Sequence, residues 1–122
     1  MAPPLILVRA VFVLAPESTR VLVPRAVTPT PPALFGQSPG PTIECVEGDK
    51  VRFFVTNKLP EHTTIHWHGI LLPSGMDGVG GLTQPQIPVG KTFVYEFDLV
   101  KSGTFMYHPH ADEMVQMAMG MM

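Results

Sequence analysis

Thr92-Phe93-Val94-Tyr95-Glu96-Phe97-Asp98-Leu99 alternates: Phe93, Tyr95 and Phe97 fall on one side, and Thr92, Val94, Glu96 and Asp98 on the other. Successive side chains of a strand point to opposite faces, so a period of two with one aromatic side predicts a strand lying half in a core. Lys50–Thr56 (Lys-Val-Arg-Phe-Phe-Val-Thr) is rich in β-branched and aromatic residues and predicts a second. Thr42–Val46, Thr63–His68 and Thr104–Tyr107 add three more, with Glu47-Gly48-Asp49 as a turn and Leu72–Gly81 as a Gly-rich loop. Pro109 forces an end or a bend, because it cannot donate to a ladder. Only Ala111–Ala118 reads as a short helix, with Asp112 and Glu113 suited to its first turn.

A length of 122 residues matches one domain, and an apolar share of 45% can supply its core. The 14 prolines and 11 glycines punctuate between short runs, which favours many strands and turns over helices. The expected class is therefore all-β. A net charge of -2 with scattered Lys and Arg gives no electrostatic case for nucleic acid.

Residues 1–33 differ from the rest and stay unassigned, so the domain is expected over 34–122. Leu5 to Ala15 is an apolar run broken by Arg9. It is shorter than the about 20 residues that a membrane span needs, and no cluster of positive charge precedes it as in a secretory signal. The alternative is a strand over Leu5–Leu14. Pro24, Pro29, Pro31 and Pro32 follow and read as an irregular, polyproline-like linker.

Four of the five histidines fall into two pairs of equal spacing, His66-Trp67-His68 and His108-Pro109-His110. On a strand, residues i and i+2 share a face with Cα atoms about 6.6 Å apart. Two such strands side by side offer four imidazoles to one metal site, and neutral imidazole suits copper, zinc, iron and nickel. Trp67 would point the other way and pack. His62 lies in a turn-like stretch and reads as structural or solvent-exposed. Cys45 is the lone cysteine, far in sequence from either pair, and reads as a buried strand thiol. Met114, Met117 and Met121 fall at i, i+3, i+7, the spacing of a buried helical stripe. Packing is thus favoured for the Met-rich end over soft ligation of Cu(I).

The context of the pairs resembles the first, plastocyanin-like domain of multicopper oxidases. The matching stretches occur in the family's order: Gly40-Pro41-Thr42-Ile43-Glu44, Glu47-Gly48-Asp49, Thr64 to Gly69, Met76-Asp77-Gly78, Leu82 to Gly90, Thr92 to Phe97 and Gly103 to His110. The resemblance runs from Phe35 to Met122 and is closest to bacterial laccase-like or copper-resistance members.

It implies a cupredoxin-like Greek-key β-sandwich, here missing its last strand, as an incomplete first domain. It implies copper, with His66 on a type 2 site and His68, His108 and His110 on a type 3 pair, so that half of the cluster's ligands are present. Asp77 matches an acid that assists proton delivery, although Asp-Gly is also a common turn dipeptide. The implied partners are the remaining cupredoxin domains, dioxygen and a reducing substrate, with no nucleic acid or membrane. The implied location is periplasmic or secreted. The implied function is half of the three-copper cluster that reduces dioxygen to water while a substrate is oxidised. The alternative is a copper-binding module, or a gene fragment, without activity of its own.

Overall fold

The computed structural model describes residues 5–13, 33–34, 40–118 and 121–122. Its strands are β1 (Leu5–Val13), β2 (Ala33–Leu34), β3 (Lys50–Asn57), β4 (His66–His68), β5 (Thr92–Asp98) and β6 (Met106–His108). A 3₁₀ turn covers Ser74–Met76, and α1 covers Glu113–Ala118.

On β3, Val51, Phe53, Val55 and Asn57 are buried while the residues between them are half-covered. The antiparallel partner β5 sets Phe97 opposite Val51, Tyr95 opposite Phe53 and Phe93 opposite Val55. Directly opposed side chains share a face, so the predicted alternation becomes one continuous apolar surface. The opposite face carries charge: Lys50 and Arg52 both pair with Glu96, and Lys50 also reaches Asp98 at 3.7 Å.

The main sheet has the order β2-β1-β3-β5, and β4 and β6 form a second, two-stranded sheet. Trp67 projects from β4 onto the main sheet, with its ring 4.3 Å from Phe53, 5.6 Å from Phe97 and 5.5 Å from Tyr95. Two sheets facing each other over one aromatic core make the all-β arrangement the sequence predicts.

Several details differ from the sequence reading. Within the unassigned segment 1–33, Leu5–Val13 takes the strand alternative, running parallel to β3 from Leu5↔Lys50 to Phe12↔Asn57. The Pro-rich stretch lies outside the described residues. Thr42–Val46 is not a ladder strand. Its burial alternates, with Ile43 and Cys45 inward and Thr42, Glu44 and Val46 outward, but its backbone bonds elsewhere. Val46 N–H donates to Asp49 Oδ2 at 2.8 Å, and the Pro41 carbonyl accepts from Tyr107 Oη. The strand predicted over Thr63–His68 shortens to His66–His68, with Thr63 bridging Ile87 alone.

Two buried polar side chains fasten the loops to this core. Asn57 Nδ2 donates to the Glu61 and Ile87 carbonyls at 2.8 Å each, and its Oδ1 accepts from Leu59 N–H at 2.9 Å. Tyr95 Oη accepts from Ile65 N–H at 3.0 Å, joining β5 to the entry of β4. Burial pushes the Tyr95 phenol up to about 12 from an ordinary 10.0, against the hydrogen bonds from Ile65 and Gln84.

The folded protein therefore holds a proton that the unfolded chain loses above pH 10. Stability is full below that pH and falls as the pH rises towards 12. Tyr95→Phe strands the buried Ile65 N–H and should cost about 1–3 kcal/mol at neutral pH. Thermal melts should show the variant less stable at pH 7 but with a shallower alkaline decline than the parent. Parallel pH curves would show that Tyr95 is not the group responsible.

Candidate metal centre

β4 is short, yet its pleat does what the spacing requires: His66 and His68 share one face and Trp67 takes the buried other. The antiparallel register sets His66 against His108, Trp67 against Tyr107 and His68 against Met106. Each pair of opposed residues lies on one side, so His66, His68, Met106 and His108 stand together while Trp67 and Tyr107 face the core. His110 follows Pro109 beyond the end of β6. The His66 ring stands beside all three other predicted imidazoles, and the ring nitrogens of His66, His68 and His108 converge, while His110 stands outside that group of three. The His66 ring lies 5.4 Å from His68, 5.2 Å from His108 and 5.5 Å from His110, and His108 lies 6.0 Å from His110.

The ring nitrogens sort by their partners. His66 Nδ1 donates to the Asp77 carbonyl at 2.7 Å, and His108 Nδ1 donates to the Pro109 carbonyl at 2.9 Å. A carbonyl only accepts, so these nitrogens carry the proton and Nε2 of each ring keeps its lone pair. His68 Nδ1 and His108 Nε2 are 3.4 Å apart. That is long for a hydrogen bond, but two nitrogens each about 2.0–2.1 Å from one ion stand about this far apart. One nitrogen from each of His66, His68 and His108 falls within 4.8 Å of the other two.

Burial pushes His108 down from the ordinary histidine range. The Pro109 carbonyl opposes this, His66 and His68 reinforce it, and Glu113 opposes it. The imidazole is neutral at pH 7, the form that ligates. This donor set fits a borderline transition-metal ion such as copper.

Asp77 ends the 3₁₀ turn and reaches His66 twice, through its carbonyl and through Oδ1, 3.4 Å from Nδ1. The approach depends on Gly78. Its φ is +81°, and a Cβ there would lie 1.7 Å from the Ile65 carbonyl oxygen. Gly78 lets the loop lie flat on the strand just ahead of His66. Gly80 N–H donates to the His110 carbonyl at 3.3 Å, so the same loop also touches the second pair.

The other candidates separate cleanly. His62 is exposed, and its carbonyl accepts from Gln116 Nε2 at 2.9 Å. Cys45 is half-buried, packed against the core, and its thiol is pushed up by burial and then by Asp49, so it stays protonated at pH 7.

The predicted methionine stripe is corrected. Met121 is buried, but Met114 is 89% exposed and Met117 only half-covered. The residue that α1 buries is Gln116, which accepts from Thr63 Oγ1 at 2.7 Å and donates to His62. The helix starts at Glu113, two residues later than predicted. Asp112 before it is left-handed, with φ 47°, which resets the face the helix turns inward. Sequence reasoning placed Glu113 only in that first turn. The structure also sets its carboxylate 3.8 Å from ring nitrogens of both His108 and His110. The one available signal was its three-residue spacing from His110.

Comparison with known proteins agrees with this geometry. Residues 21–122 match the model of the family described as multicopper oxidase. The chain is 47% identical over 76 residues to copper resistance protein A of Escherichia coli, covering 62% of this chain and 13% of that protein. It is 45% identical over 83 residues to laccase-1 of Emericella nidulans, covering 66% of this chain and 14% of that protein. A crystal structure of a multi-copper oxidase from Pseudomonas thermotolerans superimposes with a TM-score of 0.82 at 38% identity, over 98% of this chain and 28% of that one. The chain thus spans about an eighth of the length of the curated relatives it matches.

Gly78→Ala tests the loop. Its Cβ would collide with backbone rather than with a yielding side chain, and its φ disfavours any L residue. The variant should lose at least about 1 kcal/mol in thermal melts. It should also bind Cu(II) more weakly in chelator competition, as Asp77 is pushed off His66. An unchanged melt and affinity would show that the loop has room to move.

Proposed function

Because the chain belongs to the multicopper oxidase family, all-β with a cupredoxin fold, we propose that its two histidine pairs hold copper and supply half of a three-copper cluster. The convergence of ring nitrogens from His66, His68 and His108, two of them with Nδ1 tied back to carbonyls, is the observation that carries this reading. In it, His66 serves the type 2 site and His68, His108 and His110 serve the type 3 pair. When bound, copper supplies the stored electrons that reduce dioxygen to water while a substrate is oxidised.

The protein's own residues prepare that chemistry. The Asp77 carbonyl holds the His66 proton at Nδ1 and so directs Nε2 inwards. The Asp77 carboxylate, 3.4 Å from the same nitrogen, is placed to accept or return a proton beside the cluster. Trp67 and Tyr107 wall off the opposite side of the β4–β6 pair.

The body of this domain is residues 34–122, which carry every matched motif, and Leu5–Val13 adds a strand to its sheet. The other four imidazoles and the blue-copper thiolate belong to further cupredoxin domains, the chain's natural partners, with dioxygen and a reducing substrate shared between them. A periplasmic or secreted location goes with the copper-resistance relatives.

A second reading, for the 122 residues by themselves, is a copper-binding module without turnover, because they carry no His-Cys-His segment. Their one thiol, Cys45, stands outside the histidine group. Without a thiolate there is no electron entry from substrate.

Titration of the purified chain with Cu(II), followed by electron paramagnetic resonance, should show uptake without the intense absorption of a blue site. Replacing His66, His68, His108 and His110 together with Ala should abolish that uptake; equal uptake by the quadruple variant would sink the assignment. The 122-residue chain should also show no oxidase turnover on phenols. Oxygen consumption that rises with substrate and survives removal of free copper would overturn that expectation.

A further inference from the structure

The start of α1 carries a carboxylate to which the family motif gives no part. Glu113 Oε1 lies 3.8 Å from His108 Nδ1, and Oε2 lies 3.8 Å from His110 Nε2. One side chain thus faces both rings of the second pair. The backbone is built to put it there. Asp112, with φ 47°, is the one non-glycine at positive φ among the described residues, and it turns the chain back immediately after His110. Its carbonyl accepts from Val115 and Gln116 N–H, closing the first turn of the helix. Gln116, one turn on, is fully buried and bonded to His62 and Thr63, which fixes the helix against the core. Left-handed backbone at a non-glycine residue is disfavoured and persists where the surroundings hold it. Here the result of that conformation is the aim of Glu113.

We propose that Glu113 is a positioning residue that orients the His108–His110 pair towards copper, an inference that rests on the copper reading above. Imidazoles that ligate metals commonly give their other N–H to a carboxylate or carbonyl, which fixes the tautomer and makes the ligating nitrogen a better donor. His108 gives its Nδ1 proton to the Pro109 carbonyl at 2.9 Å, which commits its Nε2 lone pair inwards, and the Glu113 carboxylate stands 3.8 Å behind the same nitrogen. His110 has its backbone N–H held by Thr64 Oγ1 at 3.3 Å, and the Glu113 carboxylate stands 3.8 Å from its ring Nε2. A carboxylate here also draws a cation to the His108–His110 side of the site, as the Asp77 carboxylate does beside His66. Glu113 itself is 43% exposed, so its replacement leaves the packing of α1 intact.

Glu113→Gln keeps the shape and removes the charge. In the copper-free 122-residue chain, the imidazole nitrogen chemical shifts of His108 and His110 should move while those of His66 stay. Cu(II) affinity in chelator competition should fall about tenfold or more, with altered copper hyperfine splitting and an unchanged melt. Unmoved shifts with parental affinity would overturn the proposal. So would a lowered melt with unmoved shifts and splitting, which would make Glu113 a helix-start residue only. A parent chain that bound no copper would refute the copper reading instead, and the copper-free shifts would still decide the part played by Glu113.

Discussion

The antiparallel register of β4 and β6 is the constraint on which the site depends. Setting His66 opposite His108 brings together two imidazoles that are far apart in sequence, and the same register puts Trp67 and Tyr107 side by side on the reverse. A slip of one residue would invert both faces at once, burying histidines and exposing the indole. The indole guards against that slip. Trp67 touches Phe53, Tyr95 and Phe97, so the aromatic core of the main sheet dictates the phase of a strand only three residues long. Core packing and ligand placement are two readings of one alternation.

Around this pair the apolar core is joined by three buried polar side chains with hydrogen-bond partners. Asn57, Tyr95 and Gln116 each reach across to a loop backbone, and each is almost wholly hidden from solvent. Such groups are costly to bury unpaired and specific when paired. They fix the loops that carry Ile65 and His62–Thr63, and with them the ends of β4. The histidine-bearing side remains half-open, with His68 exposed and His110 partly so.

Much of this was legible in the sequence because the signals are local. The alternation in β3 and β5 and the spacing within His66-Trp67-His68 are short-range patterns, and the structure places each where its period implies. What was illegible depends on partners remote in sequence. Thr42–Val46 alternates as a strand should, but alternation cannot tell whether a ladder partner lies alongside. The methionine stripe followed helical spacing correctly from an assumed start. The left-handed Asp112 moves that start, and Gln116 takes the inward face that hydropathy assigns to Met114. A buried glutamine is visible only through the hydroxyl and carbonyl that satisfy it.

The parallel pairing of β1 with β3 has a consequence in time. Leu5 must find Lys50 across a long stretch of intervening chain, and parallel contacts of this range are slow to form because loop closure precedes any reward. During synthesis, Leu5-Ile6-Leu7-Val8 leaves the ribosome well before its partner exists. β3 and β5 are closer in sequence and antiparallel, so they supply the earlier nucleus. β1 then docks onto a preformed edge. Until it does, that edge and the waiting apolar strand are both open to pairing with other molecules, so the most vulnerable moment of this protein comes before its first strand is seated.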